Sequence, residues 1–550
     1  MAITITYGVL RNATHEELTS KAYSNASNDQ EIDIDADKMS EEAVNDLRQT
    51  CEQMGQKKVV RVIDSIMAAK KGDFSKPVAS FQAFDSVLLE YLRRDAKDGW
   101  IYRRGNDGNL YAALVTSVKH NTSGSYRNQP PSVDINITWY GYGNNSHRDK
   151  PYAVHTDSIK FYAQEVARRH VSKILAEQSL FKETDELRAE YDEQLKRYHD
   201  LVQGQFPRQF RATGAANKME GYGSYDRNLN ITGHKLIHDL PISECGPVSE
   251  MVETDLLGTD DAEGFGILPE ATAVRFFDLS LHQFVWVHSN NVEQYQYDKK
   301  LRNKMILPES HSDLLDVLTS DITAFTSDII EGKSAGNIIM CVGKPGLGKT
   351  LTAEVYSELT ERPLYSIHAG TLGINAEEID KNLKNVLMRA RRWDCVLLLD
   401  EADVFVMARG LDMVHNAVVA EFLRTMEYFD GLMFMTSNRE NDLDEAIIPR
   451  CAAIIRYDVP TIDDAKKIWQ VMAENFGVEL SAELLNQLLE RFPTMPPRDI
   501  KMLLRLTLRM CRAKHGDEVT PDIDMFRRCA MFRGVQIRSK NESEHEHSGQ

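Results

Sequence analysis

Several things are scarce in this chain, and each scarcity excludes something. Its seven cysteines (Cys51, Cys245, Cys341, Cys395, Cys451, Cys511 and Cys529) are scattered, with no Cys-x-x-Cys pair. Neither a disulfide framework nor a zinc-ligand spacing is legible, and reduced thiols in a cytoplasmic protein are the expectation. No apolar run approaches the roughly 20 residues that cross a bilayer. The opening Met1-Ala-Ile-Thr-Ile-Thr-Tyr lacks the charged and apolar regions of a secretory signal, so no membrane role is expected. Positive charge is in deficit: 65 Lys and Arg stand against 83 Asp and Glu, a formal net charge of −18. That balance opposes broad nonspecific attraction to nucleic acid or anionic membranes, although it allows a local basic patch. No internal repeat is visible.

What is present is ordinary globular composition over 550 residues, enough for more than one core. The texture changes near residue 306. Residues 1–305 are mixed. Asn28 to Asp46 is acidic and polar, a solvated segment or the start of a helix. Trp100 to Tyr142 reads as short strands joined by turns at Asn106-Asp107-Gly108, Ser123-Gly124 and Pro130-Pro131. Ser158 to about Gln203 reads as a long helix, with Leu187, Tyr191, Leu195 and Tyr198 at helical spacing. Residues 206–264, rich in Gly, Asn, Asp and Tyr, read as a loop-rich connector. Ala273 to His288 returns to strand texture. The whole is expected to be a mixed α+β N-terminal region that chooses a target. From 306 to 458 apolar strand-like runs alternate with helical patterns, an α/β doubly wound parallel sheet. Residues 459–537 read as a small helical lid and 538–550 as a disordered tail. His545 and His547 in that tail read as solvated rather than as metal ligands.

The chemistry is concentrated after Leu307. Asn337-Ile-Ile-Met-Cys-Val342 suits a buried parallel strand and runs into Gly343-Lys-Pro-Gly-Leu-Gly-Lys349-Thr350, which fits G-x-x-x-x-G-K-[ST]. Glycines let backbone N–H groups turn in around phosphates, and the following helix start adds the positive end of its dipole. The candidate nucleotide contacts are Gly343, Lys344, Pro345, Gly346, Leu347, Gly348, Lys349, Thr350 and Leu351. Lys349 can reach the β- and γ-phosphates, and the Thr350 hydroxyl can ligate Mg²⁺.

Some fifty residues on, Cys395-Val-Leu-Leu-Leu399-Asp400-Glu401-Ala402-Asp403 places two carboxylates at the end of a second buried strand. Asp400 is the candidate to orient Mg²⁺ through its water shell, and Glu401 the candidate general base. A third apolar run ends in Thr436-Ser437-Asn438-Arg439, where Asn438 can reach a γ-phosphate or the water.

The order of these motifs, followed by Asp442-Leu-Asp-Glu-Ala-Ile-Ile-Pro-Arg450, resembles the AAA family of AAA+ ATPases over roughly residues 307–536. The resemblance implies an Mg²⁺-dependent ATPase that works as a closed homo-oligomeric ring, most often of six. It implies Walker A roles for Lys349 and Thr350, Walker B roles for Asp400 and Glu401, and sensor 1 for Asn438. Arg450 corresponds to an arginine finger offered to the neighbouring subunit. Arg498, at the start of the third lid helix, is either the sensor 2 arginine or a surface residue. Two departures stand out. The second arginine common after the finger is replaced by Ala453, and the segment His368 to Glu378 is short and has no aromatic, only Leu372-Gly373-Ile374, which weighs against threading of a polypeptide.

Three functions stay open at this level: an ATP-driven remodeller of a protein or protein complex, which the acidity favours; a nucleic-acid motor or loader, for which Arg93-Arg94, Arg103-Arg104 and Lys119-His120 leave room; and a slow nucleotide-gated scaffold in defence or signalling.

Overall fold

A computed structural model describes residues 2–22, 26–35, 39–121, 130–142, 152–166, 168–203, 208–218, 228–239, 250–259, 262–270, 272–320, 337–373, 375–409, 413–427, 429–439, 442–515 and 521–537. The chain separates into two compact units, Met1–Phe206 with Phe210–Glu293, and Pro207–Gln209 with Gln294–Gln550. The second unit begins earlier than residue 306 because the segment after Gln294 bonds into it. Glu358, 4% exposed, accepts hydrogen bonds from the Tyr295 hydroxyl (2.6 Å) and from Asp298 N (3.0 Å).

In the first unit, strands Ala2–Thr6 and Glu31–Asp35 pair antiparallel. Helices Glu41–Gln53, Lys57–Lys70 and Phe84–Arg93 bury Leu47, Ile63 and Leu88 in one core. The acidic stretch of the sequence is therefore a strand followed by a helix start. Ser40 caps that helix by accepting from Ala43 N, and Glu41 and Glu42 sit at the positive end of its dipole. A five-stranded antiparallel sheet runs in the order Tyr152–Tyr162, Ser132–Tyr142, Leu110–Asn121, Trp100–Arg104, Leu180–Lys182.

Two expectations are corrected in this unit. The long helix from Ser158 is confined to Asp185–Val202; before it come the strand Tyr152–Tyr162, helices Ala163–Val166 and Val171–Glu177, and the strand Leu180–Lys182. Arg168 and Ser179 take left-handed backbone (φ 60° and 56°), which interrupts a continuous helix, and Thr184 caps the helix that does form. The connector at 206–264 is also not a loop region where it is described. Strands Arg208–Ala212, Ala215–Lys218, Asn228–Asn230 and Lys235–His238 join Ala273–Asp278, Gln283–His288 and Val292–Gln294 in a seven-stranded sheet. Met251–Thr259 and Ala262–Ile267 form a hairpin. Strands of three to five residues are too short for period-2 alternation to emerge from the sequence. Residues 206–207, 219–227, 240–249 and 260–261 of that stretch lie outside the described residues, as do Ser123-Gly124 and the tail 538–550.

The second unit holds a five-stranded parallel sheet. Its strands are β1 (Asn337–Gly343), β2 (Leu364–His368), β3 (Val396–Asp400), β4 (Leu432–Ser437) and β5 (Ala453–Tyr457), in the spatial order β2-β3-β4-β1-β5. Helices α1 (Glu309–Ser320), α2 (Lys349–Leu359), α3 (Ala376–Arg392), α4 (Asp403–Val406) and α5 (Met413–Met426) accompany it. The strands read as continuous apolar runs because both faces are covered: Ile339, Cys341, Leu398 and Phe434 are fully buried. Each such side chain contributes roughly 1.5–3 kcal/mol by leaving water. The order brings the carboxyl ends of β3, β4 and β1 side by side, although they are far apart in sequence, and ligands bind at that edge of open α/β sheets.

Four helices follow: α6 (Ile462–Asn475), α7 (Ala482–Arg491), α8 (Pro497–His515) and α9 (Ile523–Phe532). They close their own core on Trp469, Leu488, Leu504 and Phe526.

Candidate active site

The phosphate loop leaves β1 through Gly343, whose φ of 146° and position leave no room for a side chain: a Cβ there would lie 2.4 Å from the Tyr457 carbonyl oxygen of β5. Gly346, at φ 84°, is closed on the other side by the lid, since its Cβ would lie 2.9 Å from Cβ of Arg498. Arg498 N donates to Gly346 O at 3.1 Å, so the lid helix α8 begins against the loop. The backbone of Arg498 thus lies against the loop, while its side chain is exposed. No hydrogen bond or ion pair of its guanidinium is seen among the described residues.

Lys349 is 7% exposed. Its Nζ donates to Gly343 O (2.6 Å), Lys344 O (2.9 Å) and Asn438 Oδ1 (3.0 Å), joining the loop to the end of β4. Thr350 Oγ1 donates to Asp400 Oδ1 at 3.0 Å. Two neighbours in the chain thus reach the ends of two strands, Lys349 to Asn438 and Thr350 to Asp400. Thr350 and Asp400 are hard oxygen donors, the kind that suits a small divalent cation held by one carboxylate and substrate phosphates. Among the described residues no group of three or more His, Cys, Asp or Glu forms an all-protein metal cage, and this donor set needs none. Pro345, Leu347 and Leu351 complete the loop and first turn; Leu347 is buried in the sheet core and Leu351 is 42% exposed.

Glu401 has a left-handed backbone, φ 52°, which is unfavourable for a non-glycine residue. Its Oε2 lies 2.9 Å from His368 Nε2, at the carboxyl end of β2. Asp403 accepts the Ser437 hydroxyl and Asn438 N, the latter at 3.0 Å, and so fixes the backbone that carries Asn438. His368, Asp403 and Thr436 were not assigned roles from the sequence. The register His368↔Asp400 is what sets His368 beside the carboxylates, and only strand pairing reveals it.

Arg450 ends a short 3₁₀ turn, Ile448–Arg450, outside this group. Its Nη1 donates to Ala446 O at 2.8 Å, Nη2 lies 3.9 Å from Glu427, and its buried Nε has no partner among the described residues. No bond connects it to Lys349, Asp400 or Glu401 of the same chain. The segment leading to it is anchored by Asp444, which accepts from Arg409 Nε (2.8 Å) and Ala446 N (2.9 Å). Burial alone would raise the Asp444 carboxyl, but these donors outweigh it and hold it below the usual carboxylate range. Beneath the loop, burial pushes the Cys341 thiol up to about 12, leaving it neutral and inert. The turn Ala369–Leu372 that follows β2 buries Leu372 (2% exposed), while Ile374 lies outside the described residues.

Residues 339–459 match the family described as the ATPase family associated with various cellular activities (AAA). Among similar proteins, the ATP-dependent zinc metalloprotease FtsH of Protochlamydia amoebophila is 25% identical over 224 residues, 38% of this chain and 24% of its own. An uncharacterized AAA domain-containing protein of Schizosaccharomyces pombe is 29% identical over 199 residues, 33% of this chain and 25% of its own. The outer mitochondrial transmembrane helix translocase of Danio rerio is 22% identical over 200 residues, 34% of this chain and 55% of its own. The chain thus spans between a quarter and about half the length of these relatives. Among the described residues no helix is long and apolar enough to cross a membrane. The loop on β1, the carboxylates on β3 and the asparagine on β4 stand in one sheet of the order β2-β3-β4-β1-β5, and the match falls on that sheet: the C-terminal part of this chain carries an AAA module.

Proposed function

We propose that this module binds ATP with Mg²⁺ and hydrolyses it, as a ring of identical subunits that remodels a protein or protein complex. The observation that carries the reading is the pair of bonds Lys349–Asn438 and Thr350–Asp400, with Glu401 next in the chain. Gly343 to Leu351 cradle the phosphates, and Lys349 neutralises charge on the β- and γ-groups. Bound Mg²⁺ would draw charge from the phosphate oxygens, with Thr350 and Asp400 as the residues that hold it. Glu401 takes the proton of the attacking water, and Asn438 orients water or γ-phosphate. Arg450, unconnected to its own site, serves the neighbour's. Residues before Gln294 choose the target. The buried Leu372 supports remodelling without threading through a pore. The names FtsH and helix translocase belong to proteins that act on other proteins, which supports a protein target.

The test combines turnover with capture. Glu401→Gln should keep Mg-ATP binding and lose turnover by about 10²-fold or more, and the trapped complex should retain a protein target. Near-normal hydrolysis by Glu401→Gln would refute the general-base assignment.

One observation favours a second reading, a nucleic-acid motor. Lys501, Arg505, Arg509 and Arg512 recur at helical spacing on the exposed side of α8, and none is ion-paired among the described residues. A salt-dependent affinity for DNA or RNA, lost on reversing these charges, would support it, and salt-insensitive or absent binding would remove it.

A further inference from the structure

Thr436 lies on β4 and is 2% exposed. Its hydroxyl donates to Asp400 Oδ1 at 2.6 Å and accepts from Glu401 N at 3.0 Å, while its carbonyl oxygen accepts from Ala402 N at 2.8 Å. One residue thus engages three consecutive residues of the turn that leaves β3.

That turn needs holding. The left-handed backbone of Glu401 costs on the order of 1–3 kcal/mol and persists only where neighbours over-determine it. The N–H groups of Glu401 and Ala402 precede α4 and so have no helical carbonyl to donate to; Thr436 accepts both. Asp400 is fixed as well. Its Oδ1 receives two hydroxyls, from Thr350 and Thr436, which leaves Oδ2 as the oxygen without a hydrogen bond among the described residues. Thr436 is itself immobilised. It sits in β4 between β1 and β3, paired with Cys341 of β1.

We propose that Thr436 is the positioning residue of this site: it aims Asp400 at the cation of the bound nucleotide and Glu401 at the attacking water, and touches neither. The proposal rests on the reading of the site as one for Mg-ATP. It predicts that a side chain of the same shape without the hydroxyl separates nucleotide binding from cation binding. Partners that orient a ligand in this way typically change metal affinity or activity by about 10–100-fold when removed.

The experiment uses the full chain and three forms: wild type, Thr436→Val and Thr436→Ser. Three quantities are measured: affinity for a fluorescent ATP analogue in EDTA, affinity of the complex with a non-hydrolysable ATP analogue for Mn²⁺ by electron paramagnetic resonance, and steady-state turnover. Thr436→Val should bind the metal-free analogue like wild type, bind Mn²⁺ about 10–100-fold more weakly and turn over more slowly, and Thr436→Ser should restore both. Wild-type Mn²⁺ affinity in Thr436→Val, loss of metal-free nucleotide binding in that variant, or failure of Thr436→Ser to recover would each overturn the proposal. If wild type binds Mn²⁺ with the analogue yet hydrolyses nothing, the hydrolytic reading fails while the Mn²⁺ comparison still decides the role of Thr436.

Discussion

His368 Nε2 and Glu401 Oε2 lie 2.9 Å apart across the ends of β2 and β3, so His368 meets the carboxylate whose backbone Thr436 holds. Both side chains are more than half exposed, so the pair adds little to stability. Its effect is on aim. His368→Ala should lower kcat about tenfold, a fraction of the 10²–10⁴ that a positioned base supplies, with KM and the thermal midpoint unchanged. Unaltered kcat would show that the contact does not govern Glu401.

Among the described residues, Arg450 finds only Ala446 O and a distant Glu427. Arg450→Ala should lower turnover by about 10³-fold while leaving nucleotide binding intact. Lys349→Ala should abolish nucleotide binding. Mixed, the two inactive variants should regain part of the activity, because some interfaces then join an intact loop to an intact finger. Full activity of Arg450→Ala as a dilute monomer would refute the shared site and the ring together.

The guanidinium of Arg498 starts from a backbone tied to Gly346. If it reaches the nucleotide from the lid, Arg498→Ala should weaken ATP binding about tenfold, the effect of removing one charge-assisted contact of 1.5–3 kcal/mol only partly replaced by water. Stability should not change, and an unaltered affinity would leave Arg498 as a surface residue.

The N-terminal unit should be acid-sensitive through His288. This ring is 2% exposed; Nδ1 accepts from Asn290 N at 3.1 Å and Nε2 bonds Thr272 at 2.7 Å, so the neutral form fits. Burial lowers its pKa to about 4. The folded value lies below the unfolded one, so the stability is present above about pH 6.5 and lost as pH falls toward 4, with roughly 2 kcal/mol lost between pH 7 and 5. Urea midpoints of wild type and His288→Gln at those two pH values check this: the variant should show the smaller pH dependence.

The linear part of the site was legible from sequence because its chemistry is contiguous. Gly343 to Thr350 and Asp400-Glu401 each sit in a single turn, and the buried strands before them are unbroken apolar runs. His368, Asp403 and Thr436 were not legible, since each acts across a strand boundary, and register between parallel strands leaves no mark in a single sequence. The same limit explains the N-terminal unit. Asn228–Asn230 is a strand because Ala215–Lys218 pairs with it, and nothing in three polar-flanked residues announces that. Tyr152–Tyr162 lost its strand identity to the helical spacing farther on, until Arg168 and Ser179 interrupt the chain.

The bond between Arg498 N and Gly346 O has a mechanical consequence. Helix α8 has 19 residues and starts against the loop at Gly346, so at 1.5 Å per residue it is an arm of about 28 Å with one end at that loop. A tilt of about 10° at that end, from a change in the loop too small to disturb the sheet, sweeps the far end through roughly 5 Å. Lys501, Arg505, Arg509 and Arg512 ride along this arm at increasing radius, so the cationic face travels farthest where it lies farthest from the chemistry.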